Sequence, residues 1–332
     1  MIARIVISFG ILFIISGWLS SAHAQQQILM GYSGAGISTD LRRVIEKEKL
    51  WDKYGLNVKS IYFNSGGVLT QAMAGGNIDI SDSDVPAMLG LAVSGVLDVK
   101  VISVTFNKLE HFFVARKSIA RPEDLRGKRV TVSRIGSASD AVTRMVLRQL
   151  KIDPEREVTI LQSGNTPTRV AALVAGHVEA ALISPDSIAK LLATGCCRIM
   201  VDLSELPIDY ARFGGTVPAS MIKTQRDTLR RYLMATIEGT YVFKTRPKLV
   251  YSIFEEEGNK DPQVQKELYQ RLSRSLREYP VPEANGIQGA LDSLTNPNAR
   301  TVKPASVMDT SIIEEIKNTG FIEKLYGRPP KS

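Results

Sequence analysis

The sequence is poor in the side chains that most enzyme chemistry uses. Of 332 residues only three are histidine and two are cysteine. His23 falls in an N-terminal stretch with the pattern of a removable leader, which leaves His111 and His177. Neither stands in an H-x-x-x-H or C-x-x-C setting, so no metal site is expected. A Ser–His–Asp triad would have to use one of the two. His177, however, falls in a helix-to-strand turn, at the strand end opposite the loops expected to bind a ligand. No G-x-S-x-G elbow and no Walker loop occurs, and Gly31 to Gly36 reads G-x-x-G-x-G rather than the dinucleotide order G-x-G-x-x-G. No catalytic residue and no cofactor is expected. Cys196 and Cys197 are adjacent, with Cα atoms ~3.8 Å apart, whereas disulfides prefer ~4.4–6.8 Å. The pair is therefore expected as buried apolar thiols at a strand start, and not as a disulfide framework.

Two further absences matter. Beyond residue 24 no long apolar run occurs, so no membrane span is expected in the rest of the chain. Lys and Arg (42) exceed Asp and Glu (34), giving a net charge of +8, yet no block of five or six like charges appears. In Arg42 to Lys49 and in Arg271 to Glu278 the bases alternate with acids, which argues against a nucleic-acid partner. The surplus is read as a diffuse positive field that favours anionic ligands.

The first 24 residues have the pattern of an export signal. Arg4 is followed by the apolar run Ile5 to Leu19 and then by Ala22-His23-Ala24, a small-x-small cleavage pattern. As a helix that run would be ~22 Å long, too short for a hydrocarbon core of ~30 Å. No cysteine stands near the cleavage point, so no lipid anchor is expected. The remainder is 44% hydrophobic and 23% charged when counted with the leader, a globular composition. It is long enough for two lobes of ~100–150 residues.

From Gln27 onward short apolar runs alternate with amphipathic segments, the signature of an α/β fold with parallel sheets. Ile28 to Tyr32 reads as a strand, a helix follows from about Thr39, and Asn57 to Phe63 is the next strand. Val68 to Ala74 is helical and Ile78-Asp79-Ile80 is a third strand. The pattern recurs at an offset of 100 residues: Ser33, Gly36 and Asp40 match Ser133, Gly136 and Asp140, while Ala72 and Gly76 match Ala172 and Gly176. Two lobes built alike are expected. Crossings near 107 and 213 divide the chain into residues 25–106 for the first lobe and 107–213 for the second. Residues 214–332 are a return strand and helical tail packing back on the first. The two crossings read as a hinge that a ligand could bridge.

In open parallel sheets ligands bind beyond the carboxyl ends of the strands. The exits here each run into a helix start, where about four backbone N–H groups are unpaired and carry a partial positive charge. Small residues there let an anion approach the backbone. The candidate ligand residues are accordingly Ser33, Gly34 and Ala35; Asn64, Ser65, Gly66 and Gly67; Asp82 and Ser83; Arg134, Gly136, Ser137 and Ser139; Asn165; and Asp186. The same Ser, Asn and Asp residues are also ordinary helix caps, each worth ~1 kcal/mol without any ligand. Arg134 is the one cation inside an exit and could fork onto a carboxylate, sulfonate or phosphate, or stand as an exposed loop arginine. Phe213 is read either as an apolar wall of the ligand site or as sheet core.

Several of these segments resemble ABC-transporter substrate-binding proteins of the nitrate/sulfonate/taurine, thiamine-pyrimidine-synthase-like class. They are the leader and first strand, Gly55-Leu56-Asn57-Val58, the element Ala72 to Asp79, and most specifically Pro122-Glu123-Asp124-Leu125-Arg126-Gly127-Lys128-Arg129-Val130. The similarity covers roughly residues 27 to 220. It implies a type II periplasmic-binding-protein-like fold that closes on a small anionic solute. It further implies a periplasmic monomer that delivers this solute to an inner-membrane ABC permease. An exported ligand sensor or scaffold for a membrane receptor is the alternative in another class. A third is a thiamine-pyrimidine-synthase-like enzyme, whose cysteine-rich iron motif this chain lacks. With aromatics at 7% and few at the exits, stacking of a ring ligand is not expected.

Overall fold

The structure is a computed structural model, and it describes residues 27–33, 37–63, 66–109, 111–135, 137–206 and 208–330. The expected leader, residues 1–24, lies outside them. Alternation of apolar strands and amphipathic helices resolves into two successive α/β units. The first comprises β1 (Gln27–Ser33), α1 (Ile37–Lys47), α2 (Leu50–Lys53), β2 (Asn57–Phe63), α3 (Gly66–Ala74), β3 (Ile80–Asp84), α4 (Val85–Val93) and β4 (Val99–Val101). The second comprises β5 (Phe112–Arg116), β6 (Arg129–Val132), α5 (Ala138–Gln149), β7 (Thr159–Gln162), α6 (Thr166–Ala175), β8 (Ala180–Ile183), α7 (Pro185–Ala193) and β9 (Cys197–Asp202). The chain then returns through β10 (Phe213–Pro218) to helices α8 (Met221–Thr224), α9 (Arg226–Thr245), α10 (Pro247–Glu256), α11 (Pro262–Ser275), α12 (Ala284–Asp292), α13 (Ser311–Asn318) and α14 (Phe321–Tyr326). No helix of the described residues is long and apolar enough to cross a membrane.

The strands form two five-stranded sheets of matching order, β2-β1-β3-β10-β4 and β7-β6-β8-β5-β9. In each, one strand is antiparallel to its neighbours, and it is the strand arriving from the other sheet: β10 in the first, β5 in the second. The offset of 100 is visible in the bonding. Asp79 accepts the Leu29 N–H at 2.7 Å, and Glu179 accepts the Arg129 N–H at 2.9 Å. Gly76 and Gly176 both close their helices with a left-handed residue, φ +71° and +76°. These are positions at which a Cβ would be strained.

The two crossings run side by side. Phe106 and Phe213 form an antiparallel bridge, and the Ser103 hydroxyl accepts the Gly215 N–H at 2.9 Å. A Cβ on Gly214 would fall 1.9 Å from the Ser103 carbonyl oxygen, so contact between these segments requires glycine in the return strand. The largest core lies between the first sheet and the helical tail, where Ile45, Trp51, Leu229, Tyr232, Leu233, Phe243 and Ile313 pack together. A separate core under the second sheet gathers Phe113, Leu125, Val130, Val146 and Leu182.

Two expectations are corrected. Cys196 and Cys197 are not free thiols but are joined to each other by a disulfide. Their Cα atoms stay 3.8 Å apart, as in any trans pair, so the bond closes no chain loop and ties no distant elements together. The third strand is also displaced: β3 runs Ile80–Asp84, so Ser81 to Asp84 form the strand itself instead of its exit. Pairing with β10 along Ser81 to Asp84 supplies the backbone partners that extend it.

Candidate functional site

The first half of the site is built where β1 and β3 end. Ser33 Oγ lies 2.7 Å from Ser83 Oγ, and both residues are buried. Helix α3 starts beside them: a Cβ added to Gly66 would stand 3.8 Å from the Ser33 hydroxyl oxygen. Gly66 and Gly67 bring no side chain to cover this helix start, which carries the partial positive charge of a helix N-terminus. The neighbouring candidates Gly34, Ala35, Asn64 and Ser65 lie outside the described residues, as does Gly136 in the second half.

The second half is the loop between β6 and α5. Ser133 Oγ lies 2.9 Å from Ser137 Oγ and 2.8 Å from Ser139 Oγ, and the Ser133 N–H donates to Ser139 Oγ at 2.9 Å. Ser137 caps α5 by accepting the Asp140 N–H and donates to the Arg134 carbonyl at 2.5 Å. These bonds fix the loop that carries the Arg134 side chain. Its guanidinium reaches across to the other half, where a Cβ on Gly67 would lie 3.6 Å from Nη2. Among the described residues no carboxylate pairs with Arg134. A cation from one sheet and a helix N-terminus from the other therefore meet, and no carboxylate among the described residues is paired with that cation. Two positive features so placed repel unless a negative group intervenes.

The remaining candidates take other roles. Asn165 caps α6, its Oδ1 accepting from the backbone N–H and the hydroxyl of Thr168 at 3.1 and 2.7 Å. Asp186 lies in the first turn of α7. Asp82 sits within β3 and is only 6% exposed. Burial pushes its carboxyl up to about 6, partly offset by the charge of Arg42 and by the Tyr232 hydroxyl. Phe213 and Phe106 form a T-shaped pair with ring centroids 6.3 Å apart, and the Arg212 guanidinium lies over the Phe213 ring, 4.4 Å from its centroid. It thus belongs to the crossing and the first core, the second of its two expected roles.

Sequence reasoning overlooked Arg169. It lies three residues inside α6, beyond the candidate Asn165, yet its guanidinium folds back to the Gly164 carbonyl at the β7 exit. The signal was present: the residue 100 positions earlier, Leu69, is an ordinary core leucine in α3. An arginine at that register is out of keeping with a buried helix face.

A family model described as NMT1/THI5 like matches residues 46–249, more than half of the chain. A Brucella abortus protein with a provisional binding-protein name is 24% identical over 156 residues, 46% of either chain. The chain thus matches about half the length of its curated relatives. Among solved structures, a Bordetella bronchiseptica protein superposes with a TM-score of 0.74 at 18% identity, covering 91% of this chain and 98% of the other. The alkanesulfonate-binding protein SsuA from Xanthomonas axonopodis pv. citri, solved bound to MOPS, superposes with a TM-score of 0.64 at 17% identity, covering 81% and 91%. At these identities the superpositions establish a shared fold.

Proposed function

Since the chain belongs to the NMT1/THI5-like family, we propose that it is an extracytoplasmic solute-binding protein that captures a small anion, a sulfonate or carboxylate, and hands it to an ABC permease. The lobes are residues 25–106 with 214–332, and residues 107–213. They open and close about the paired crossings, and the protein acts as a periplasmic monomer after removal of residues 1–24. The observation that carries this reading is the unneutralised approach of Arg134 to the Gly66–Gly67 helix start. Ser139 and one member of the Ser33–Ser83 pair add hydroxyls that can donate to an oxyanion, while the Ser137 hydroxyl is already committed to the Arg134 carbonyl. Val68 and Ile135, next in sequence to Gly67 and Arg134, are exposed at 44% and 54% and suit an organic group on that anion. The likeness in fold to an alkanesulfonate-binding protein agrees with this class of ligand.

A thermal-shift screen of alkanesulfonates, taurine, aromatic carboxylates, nitrate and sulfate tests the reading. A ligand at a hundred times its dissociation constant stabilises the folded chain by ~2.7 kcal/mol. Arg134→Ala is expected to weaken binding of the anion about 10- to 100-fold, equivalent to ~1.4–2.7 kcal/mol for a charge-assisted pair. Binding of its neutral amide should change far less. Equal losses for both ligands, or no stabilisation by any anion, would refute it.

A further inference from the structure

We propose that Arg169, an interior cation of the second lobe, sets the anion preference of the cleft by charging and orienting the Thr166–Ser184 hydroxyl pair. This rests on the reading that the cleft takes an anion, and it names a positioning residue that acts through others.

Arg169 is 4% exposed. Its Nε donates to the Leu182 carbonyl at 3.1 Å, Nη1 to the Gly164 carbonyl at 2.8 Å and Nη2 to Thr166 Oγ1 at 3.0 Å. All three acceptors are neutral, so the hydrogen bonds are satisfied while the charge is not. Burial lowers the guanidinium to about 10, and among the described residues no acidic group pairs with it. The nearby cations do not share a counter-ion with it: Arg212 pairs with Asp84, and Arg271 with Asp202. The neighbouring His111 is pushed down to about 3 by burial and by Arg212, Arg169 and Arg271, so it stays neutral, and its buried Nδ1 has no partner among the described residues. A buried ion without a partner is strongly disfavoured. The first lobe avoids this by placing the fully buried Leu69 at the same register of α3.

The hydroxyls give the charge a use. Thr166 Oγ1 accepts from Arg169 and also from Ser184 Oγ at 3.3 Å. Two accepted bonds occupy both lone pairs and leave the Thr166 O–H as a donor only. Ser184 and Thr166 stand at the starts of α7 and α6. In the parallel pairing of β6 with β8, Thr131 is level with Ala181. Ser184 directly follows β8 and Arg134 stands two residues beyond β6, its neighbour in the sheet, so both lie at the same edge of the second sheet. The pair, backed by an interior positive charge, thus shares that edge with the cation assigned to the ligand. A donor-only hydroxyl in a positive field discriminates in favour of negative oxygen over neutral oxygen.

The test compares propane-1-sulfonate with the neutral propane-1-sulfonamide by calorimetric titration, with benzoate and benzamide as the second pair if carboxylates bind better. Arg169→Leu, which copies the side chain of the first lobe, is expected to weaken the anion at least about 10-fold and the neutral analogue less than about 3-fold. The ligand-free melting temperature should be held or raised. Arg169→Lys should restore most of the anion-to-neutral ratio, a rescue that a packing role would not produce. Should the leucine variant fail to fold, Thr166→Val decides. It removes the relayed donor, leaves the arginine, and is expected to reduce the same ratio by about 3-fold or more. An unchanged ratio in the variant that folds overturns the role of Arg169 while leaving the anion receptor intact. Absence of anion binding by the unaltered protein overturns both.

Discussion

Asp82 shows how far a single residue can depart from its reading as a loop carboxylate. It is held inside β3 against Tyr232 and the vicinity of Arg42, and its carboxyl is raised from 3.8 to about 6. In the folded chain the protonated form is therefore favoured. The penalty for the ionised form is absent below pH 3.8, grows between 3.8 and 6, and is complete above 6. At 1.36 kcal/mol per unit it amounts to about 3 kcal/mol. Asp82→Asn should therefore raise the melting temperature by roughly 5 °C at pH 8, with the gain fading as the pH falls from 6 to 4. Thermal scans across that range would contradict this assignment if the gain were uniform. Arg134 was legible because it stands in a loop of glycine and serine. Arg169 was not, because only the folded chain shows an α6 side chain turning back to the exit.

At the scale of elements, the packing of α1 against α9 depends on one missing side chain. A Cβ on Gly239 would fall 2.3 Å from Ile45 Cγ1 and 3.0 Å from its Cδ1. In an exposed helix, Gly→Ala stabilises by up to ~1 kcal/mol. Here overpacking reverses the sign, and Gly239→Ala is expected to cost ~1–3 kcal/mol. The double variant with Ile45→Val should recover part of it, because the shorter side chain removes Cδ1. A denaturant titration showing the single variant as stable as the parent would remove this contact as a constraint. Helix and strand identities from Gln27 to Asp202 were readable from periodicity and glycine punctuation. The length of β3 was not, since it is set by hydrogen bonds to a strand more than a hundred residues later.

For the whole molecule, the crossings are not the sole link between the two α/β units. Helix α11, whose Leu272 lies in the first core, sends Arg271 to the end of β9. Its Nη1 and Nη2 donate to Asp202 at 3.0 and 2.8 Å, Nη2 also donates to Ser204 at 3.1 Å, and the guanidinium covers the Phe112 ring at 4.2 Å. Burial alone would raise the Asp202 carboxyl. The Arg271 and Ser204 hydrogen bonds and the Arg271 charge outweigh it, so the net shift is downward. A lowered carboxylate adds stability above its unfolded pKa, and that contribution is lost as the pH falls through the folded value. Asp202→Asn should lower stability by about 1–2 kcal/mol at pH 7, between the values for exposed and buried pairs, and by progressively less toward pH 3. It should also increase the radius of gyration of the ligand-free protein in X-ray scattering, because one non-covalent tie between the units is gone. An unchanged scattering curve would show that α11 does not restrain their separation.

By itself the sequence determined the class of the fold and the alternation of strands and helices that repeats in its two sheets. Both depend on local pattern: apolar periodicity, glycine where helices stop, and small polar residues where they begin. Only the tertiary structure decided which exits meet. It put Arg134 against Gly67, withdrew Asp82 and Phe213 into packing, and revealed Arg169 as a buried charge. Proximity between residues far apart in the chain, and the loss of solvent that gives a charge its leverage, are properties of the assembled core, which no local pattern contains.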